Sequence, residues 1–313
     1  MRIVFLGTPH FAVASLEKVV YAGHDVVAVY TQPDRPKGRG QQLAFSPVKE
    51  AALRASLPVL QPERIRQREA VAAFAGHRAD AAVVVGYGQL IPQSVIDLPR
   101  LGIINVHASL LPKYRGAAPV QWAIARGESV TGVTTMLIDA GLDTGAMLLK
   151  AETPIGNDET AVELGRRLAV LGADLVPPTL AGLDQRTLQP VAQDDSQASW
   201  APVLRREDGR IDWSLPAKEI WHRCRGFQPW PGVWSTFRGQ RLYIWRAKPA
   251  NDISLGFSGS LVTAGRRLTV ICGDGTTLEI EELQPEGRKR MSAEAFLNGQ
   301  RLRQDERLGE QSL

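Results

Sequence analysis

Asn105 and His107 stand two residues apart in INVHASLLP, at the end of a short apolar run. In an extended strand side chains alternate between faces, so an amide and an imidazole at this spacing point the same way. An imidazole there can take a proton from an attacking nucleophile. A side-chain amide can donate to an oxygen that gains negative charge. Each has a plainer reading when taken alone: His107 paired with a neighbour, Asn105 capping a strand end. A third group, Asp143, sits among glycines in MLIDAGLDTG, where Asp also serves as an ordinary turn residue. Together the three make an acid–base and oxyanion set with no covalent nucleophile. No G-x-S-x-G elbow, activated cysteine or cluster of metal ligands accompanies them. Such a set suits direct transfer of an activated carbonyl to an amine.

Positioning these groups requires several strand ends to converge. RIVFLG and DVVAVYT are strand candidates on either side of the helical FAVASLEKVVYAG, which gives a β-α-β opening. ADAAVVVGYG and LGIINVHAS are two further apolar runs. Apolar strands alternating with helices predict an α/β fold whose parallel sheet is covered on both faces. Ligands of such sheets sit outside the carboxyl ends of the strands. Three of those ends carry Gly7-Thr8-Pro9, Gly86-Tyr87-Gly88 and Asn105-Val106-His107.

After the second strand comes QPDRPKGRGQQLAFSPVK, a long Pro- and Gly-rich loop with Arg35, Lys37, Arg39 and Lys49, and with Asp34 as its nearest acid. Loops of this length are functional or disordered more often than connections of ordinary length. A generic basic loop also serves solubility alone. Residues 184–209 are polar and aperiodic, which reads as a linker. Beyond them DWSLPAKEIWHRCRGF predicts a short helix. RLYIWRA, GSLVTA, RLTVICG and TLEIEEL then predict a small antiparallel β domain.

The 313 residues allow two domains, and 44% hydrophobic against 22% charged residues gives an ordinary globular core. A formal charge of +4 permits a polyanionic partner without demanding one. Cys224 and Cys272 have no metal or redox spacing and read as reduced thiols. The apolar start MRIVFLGTP is too short for a signal peptide, and no stretch has the length of a membrane span. A cytoplasmic protein with no membrane partner is expected.

NVHASLLPKYRGAAPVQWAI followed by TGVTTMLIDAGLDTG closely resembles the folate-dependent formyltransferase family. The resemblance extends to FLGTPHFAV, TQPDRPKGRG, GYGQLIP and RGFQPWPG, so it covers nearly the whole chain. It implies a Rossmann-like formyltransferase domain over residues 1–188, a linker over 189–208 and an OB-like β-barrel that binds tRNA over 209–313. It also implies that Asn105, His107 and Asp143 are catalytic, and that 10-formyltetrahydrofolate is the formyl donor, without a metal. Ser109, Leu110, Leu111 and Pro112 are then expected at the folate, with Gly86, Tyr87, Gly88, Gln89 and Leu90 beside them. Core packing is the plain alternative for Leu110 and Leu111, and a turn for Pro112.

The loop QPDRPKGRG and the PWPG element resemble the branch of the family that acts on initiator methionyl-tRNA. Arg35, Lys37, Arg39, Arg205 and Arg206 are accordingly expected on the tRNA, with a monomer as the working form. Three positions depart from the family pattern: His10 stands where an acid is usual, Val203 where a Lys is usual, and Gln228 where an Asn is usual. The missing Lys bears on tRNA contacts, and Arg205 and Arg206 could compensate. Two alternatives remain open at this stage: a sugar-nucleotide or other small-molecule amine formyltransferase, and an RNA-binding module without catalysis.

Overall fold

The computed structural model describes residues 1–37, 42–250, 252–303 and 305–309. Its contacts divide the chain into two units. The first comprises residues 1–119, 130–154 and 165–201, and the second residues 120–129, 155–164 and 202–313.

The strands of the first unit are β1 (Arg2–Gly7), β2 (Asp25–Tyr30), β3 (Arg35–Lys37), β4 (Gln42–Ala44), β5 (Val59–Leu60), β6 (Ala81–Val85), β7 (Ile103–His107), β8 (Val130–Leu137) and β9 (Met147–Pro154). Its main sheet runs β5-β2-β1-β6-β7-β8-β9. Helices α1 (Val13–Tyr21), α2 (Pro47–Arg54), α3 (Arg68–Gly76) and α4 (Gln93–Ile96) connect the early strands. Ile3, Val4, Phe5 and Leu6 are fully buried, as expected of a strand covered on both faces. Each such side chain contributes about 2 kcal/mol of burial.

The five strands β5, β2, β1, β6 and β7 are parallel, as the alternation of strands and helices predicts. The sheet as a whole is mixed, because β8 runs antiparallel to both β7 and β9. The reversal between β8 and β9 follows from how they are connected. The loop 138–146 is too short for a parallel crossover, which needs a dozen residues or more. From Leu149 to Pro154 half-buried and exposed residues alternate, as in a strand covered on one face only.

Register sets the site. Val85 lies beside Gly7, Asn105 beside Val84, and His107 beside Thr134. The carboxyl ends of β1, β6 and β7 therefore share one edge.

Helix α5 (Pro119–Ala125) follows β7, and α6 (Ala161–Asp184) follows β9. Residues 189–201, polar and aperiodic, pack into the first unit. Val191 bridges to Met147, and Trp200 to Arg115.

In the second unit α7 (Ala217–Gly226) precedes β10 (Val233–Phe237), β11 (Gln240–Ala250), β12 (Leu261–Ala264), β13 (Arg267–Ile271), β14 (Thr277–Pro285) and β15 (Met291–Ser292). The antiparallel sheet expected here runs β10-β11-β14-β13-β12, with β15 added to β14. Among the described residues no helix is long and apolar enough to cross a membrane.

Candidate active site

At the end of β7 the His107 ring is 5% exposed. Its Nε2 lies 2.9 Å from the carbonyl oxygen of Tyr114, and its Nδ1 lies 3.7 Å from Asp143 Oδ2. The Asn105 side-chain amide donates to Asp143 Oδ1 at 3.4 Å. Both residues face Asp143, as strand alternation predicts. The partner of the Asn105 amide is a carboxylate carried by another loop.

Asp143 arrives from the loop after β8. Its φ of +54° is a left-handed conformation, so the turn role expected of Asp among glycines is present alongside the side chain's place in the site. Asp143 Oδ2 also accepts the backbone N–H of Gly116 at 2.8 Å. Gly116 has a φ of +116°, and a Cβ there would stand 2.7 Å from the Ala201 carbonyl oxygen. Only glycine fits. The carboxylate is thus held by two N–H donors while one oxygen faces the imidazole.

The SLLP segment is held from both sides. Thr134 Oγ1 donates to the Ser109 carbonyl at 2.7 Å and accepts the Leu111 N–H at 3.1 Å. Lys150 Nζ donates to the Leu111 carbonyl at 2.5 Å. Ser109 Oγ donates to the Lys113 carbonyl at 2.6 Å. Leu111 is buried, as the packing alternative expects, whereas Leu110 and Pro112 are half-buried. Thr134 lies within TGVTTMLIDAGLDTG and Lys150 beyond it, and strand register pairs the two beside His107.

The Gly86–Leu90 segment leaves the neighbouring strand end. Its residues face different ways. Leu90 is exposed, while the Tyr87 ring is buried in the core beside Tyr30 and Ile65. Burial pushes the Tyr87 phenol above its ordinary value. The Gln89 side chain accepts the Ile65 N–H at 2.7 Å and donates to the Pro62 carbonyl at 3.1 Å, so it braces a loop. Backbone and Leu90 are therefore the surfaces this segment offers to a ligand.

Comparison with known proteins decides the family. The model described as "Formyl transferase" matches residues 1–180, and "Formyl transferase, C-terminal domain" matches residues 203–301. The chain belongs to the formyl transferase family. A methionyl-tRNA formyltransferase of Solibacter usitatus is 62% identical over 99% of both chains. Those of Koribacter versatilis and Acidobacterium capsulatum are 56% and 53% identical, again over 99% of this chain. Among solved structures, the sugar 3N-formyl transferase WlaRD superposes with a TM-score of 0.68 at 18% identity, covering 92% of this chain and 99% of its own. A glycinamide ribonucleotide transformylase from Symbiobacterium toebii gives 0.52 at 23% identity, covering 62% of this chain and 94% of its own. At such identities these structures establish the fold alone.

The cations of this formyl transferase fall in two places. Arg35 and Lys37 lie on β3, which pairs with β4 as a hairpin, and Arg39 lies outside the described residues. Asp34, the one acid near them in sequence, is taken by Lys49 and Gln61. Its carboxyl is held low by the hydrogen bonds from Lys49 and Gln61. Lys49 is thus committed locally, while the exposed Arg35 is left without that counter-charge.

Arg205 and Arg206, in the second unit, are exposed. They adjoin a feature that sequence reasoning missed. Along β11, Leu242 and Ile244 are buried while Arg241, Tyr243 and Trp245 share the opposite face. The Arg241 guanidinium lies 4.3 Å over the Trp234 ring, and Arg290 lies 4.0 Å over Trp245. Tyr243 and Trp245 are near-parallel, 6.2 Å apart. Burial raises the Tyr243 phenol, but hydrogen bonds from Arg206 and Arg241 outweigh it and hold the phenol below its ordinary value. The alternation R-x-Y-x-W was the available signal.

Proposed function

We propose that this enzyme transfers the formyl group of 10-formyltetrahydrofolate to the free amino group of initiator methionyl-tRNA. The observation that carries the reading is the convergence of Asn105 and His107 on the Asp143 carboxylate, in a chain whose full-length relatives are named for that reaction. The amine attacks the formyl carbon, forming the C–N bond and a tetrahedral oxyanion. Asn105 stabilises that oxyanion with an amide N–H. His107 takes the proton that the amine loses, and Asp143 favours the resulting imidazolium. Collapse breaks the bond to the folate nitrogen, and the proton goes to that leaving nitrogen. Tetrahydrofolate and the formylated aminoacyl-tRNA result.

The folate is assigned to Ser109–Pro112 and Gly86–Leu90. Thr134 and Lys150 hold the SLLP backbone so that its shape is set before the ligand arrives. Arg35, Lys37, Arg39, Arg205 and Arg206 are assigned to tRNA phosphates. Arg241 and Arg290, stacked on aromatic rings, suit bases or sugars as well as phosphates. A monomer is the working form we assign to this enzyme. A cytoplasmic location accords with a substrate made for translation.

The test is formyl transfer to charged initiator tRNA, charged elongator methionine tRNA and an amino-sugar nucleotide, side by side. Transfer to the initiator alone supports the proposal. Transfer to the sugar nucleotide in its place overturns it.

A further inference from the structure

Two non-glycine residues of the candidate site have left-handed backbones: Tyr114, with φ +62°, and Asp143, with φ +54°. For a bulky aromatic such as Tyr114 that conformation persists only where the surroundings enforce it, whereas Asp tolerates it more readily. In both cases a hydrogen bond comes from the same short stretch, residues 193–199, whose polar and aperiodic sequence reads as mere linker.

Ser199 holds Tyr114. Its Oγ accepts the Tyr114 N–H at 2.9 Å, and its carbonyl accepts the Arg115 N–H at 2.8 Å. The Lys113 carbonyl, on the same peptide group as the Tyr114 N–H, is bonded by Ser109 Oγ at 2.6 Å. That peptide is clamped at both ends, so the Tyr114 carbonyl is aimed at His107 Nε2.

Gln193 holds Asp143. Its Nε2 donates to the Asp143 carbonyl and to the Gly145 carbonyl, each at 2.8 Å. Its Oε1 accepts from Arg115 Nε at 2.9 Å. Arg115 is itself buried and pairs with Asp195 at 2.7 Å. The donors and acceptors leave one orientation for the Gln193 amide, since a carbonyl only accepts and a guanidinium only donates.

We infer that residues Gln193 to Ser199 form a positioning strap, which seats Asp143 through Gln193 and, through Ser199 and the Tyr114 carbonyl, keeps the neutral His107 protonated on Nε2 with its lone pair on Nδ1. The chemistry is direct. A carbonyl oxygen cannot donate, so the nitrogen facing it must carry the proton. Nδ1 is then the nitrogen that gains and loses a proton, and it is the one beside Asp143. Gln193 and Ser199 touch no reacting atom and act through their neighbours. This inference rests on the proton-acceptor role proposed for His107, while its tautomer can be read without any formyl transfer.

The experiment uses full-length protein with ¹⁵N-labelled histidine, together with Ser199→Ala, Ser199→Thr, Gln193→Ala and Gln193→Glu. In the wild type the neutral His107 should show a pyridine-type Nδ1 and a pyrrole-type Nε2. Ser199→Ala should mix the two tautomers, whereas Ser199→Thr, which retains the hydroxyl, should restore the wild-type signature. A misplacement of this kind costs up to about 10²-fold in turnover. Ser199→Ala and Gln193→Ala should therefore lower kcat while the KM for each substrate stays within about twofold, as expected for lost orientation rather than lost binding. Gln193→Glu should be no better than Gln193→Ala, since a carboxylate cannot donate to the two carbonyls. A pyrrole-type Nδ1 in the wild type overturns the inference, as does unchanged kcat in both alanine variants. If the wild type formylates no methionyl-tRNA yet shows the expected tautomer and its loss in Ser199→Ala, the proposed function falls and the strap stands.

Discussion

The site around His107 and the arginine-bearing face of β11 handle polar groups in opposite ways. At His107 the polar groups are spent on one another. The imidazole, the Asn105 amide, the Gly116 N–H and the Asp143 carboxylate each have a named partner within the first unit. On the Tyr243 and Trp245 face of β11, Arg241 and Arg290 lie over rings. Arg206 and Arg241 form no ion pair among the described residues, and Arg290 is 3.8 Å from Glu282 as well as stacked on Trp245. The first arrangement fixes geometry at the cost of adaptability. The second keeps positive charge and apolar area available to something outside the chain. Chemistry tolerates little displacement, whereas binding a polyanion needs charge more than exact placement.

Substitutions should separate the two regions. His107→Ala should lower turnover by about 10²-fold or more, the scale of lost general acid–base work, with little change in melting temperature. A variant with near-normal turnover would remove His107 from the chemistry. Asn105→Asp should be worse than Asn105→Gln, because a carboxylate opposes a developing oxyanion and adds like charge beside Asp143, while Gln retains the donor. Equal activity of the two would leave Asn105 a structural role only.

Changes on the arginine and aromatic face should act on binding alone. The double variant Arg241→Ala with Arg290→Ala should raise the KM for charged tRNA several-fold and flatten its salt dependence, each lost phosphate contact reducing the slope by about one. Its affinity for a folate analogue should be unchanged. Parallel titrations with tRNA and the analogue check this, and a matching loss of both would show damage to the fold.

The smallest effect concerns stability in the second unit. Burial and the Arg225 and Lys218 charges lower His222 to about 4 from an ordinary 6.5. Its Nδ1 accepts from Arg225 at 2.7 Å, which a protonated ring could not do. The unfolded chain therefore binds the extra proton first, so stability falls as pH drops from about 6.5 towards 4 and is unaffected by this group above that window. Melting curves of His222→Gln should decline less over that range than those of the wild type. His24 and His77 in the first unit are also lowered, chiefly by burial, so the difference between the two proteins is the informative quantity.

Strands β1, β2, β6 and β7 were legible because each is an apolar run bounded by turn signals, and the placing of Asn105 and His107 on one face followed from alternation. The reversed course of β8 was not, since direction lies in the connection and not in a strand's own pattern. Asp143 was legible as a candidate from its spacing and the resemblance, but its partner Gly116 becomes meaningful only when the loops meet. Tyr87 and Gln89 show the reverse case, for a motif marks a segment without saying which side chains turn inward. Gln193 and Ser199 were hidden by composition, as polar residues without periodicity look the same in a linker and in a hydrogen-bonded strap. The arginine and aromatic face could have been read from RLYIWRA, whose alternation separates Arg, Tyr and Trp from Leu and Ile.

Asp143→Asn gives the most direct test of the imidazole–carboxylate pair. The substitution keeps the size of the side chain and one oxygen to accept the Gly116 N–H, but removes the charge opposite His107. Single-turnover formyl transfer should be measured at saturating folate donor and charged initiator tRNA, so that binding does not limit the rate. The expected result is a fall of about 10²-fold or more with an unchanged melting temperature. A variant that transfers formyl at close to the wild-type rate would contradict the assignment of the proton transfer to His107 supported by Asp143.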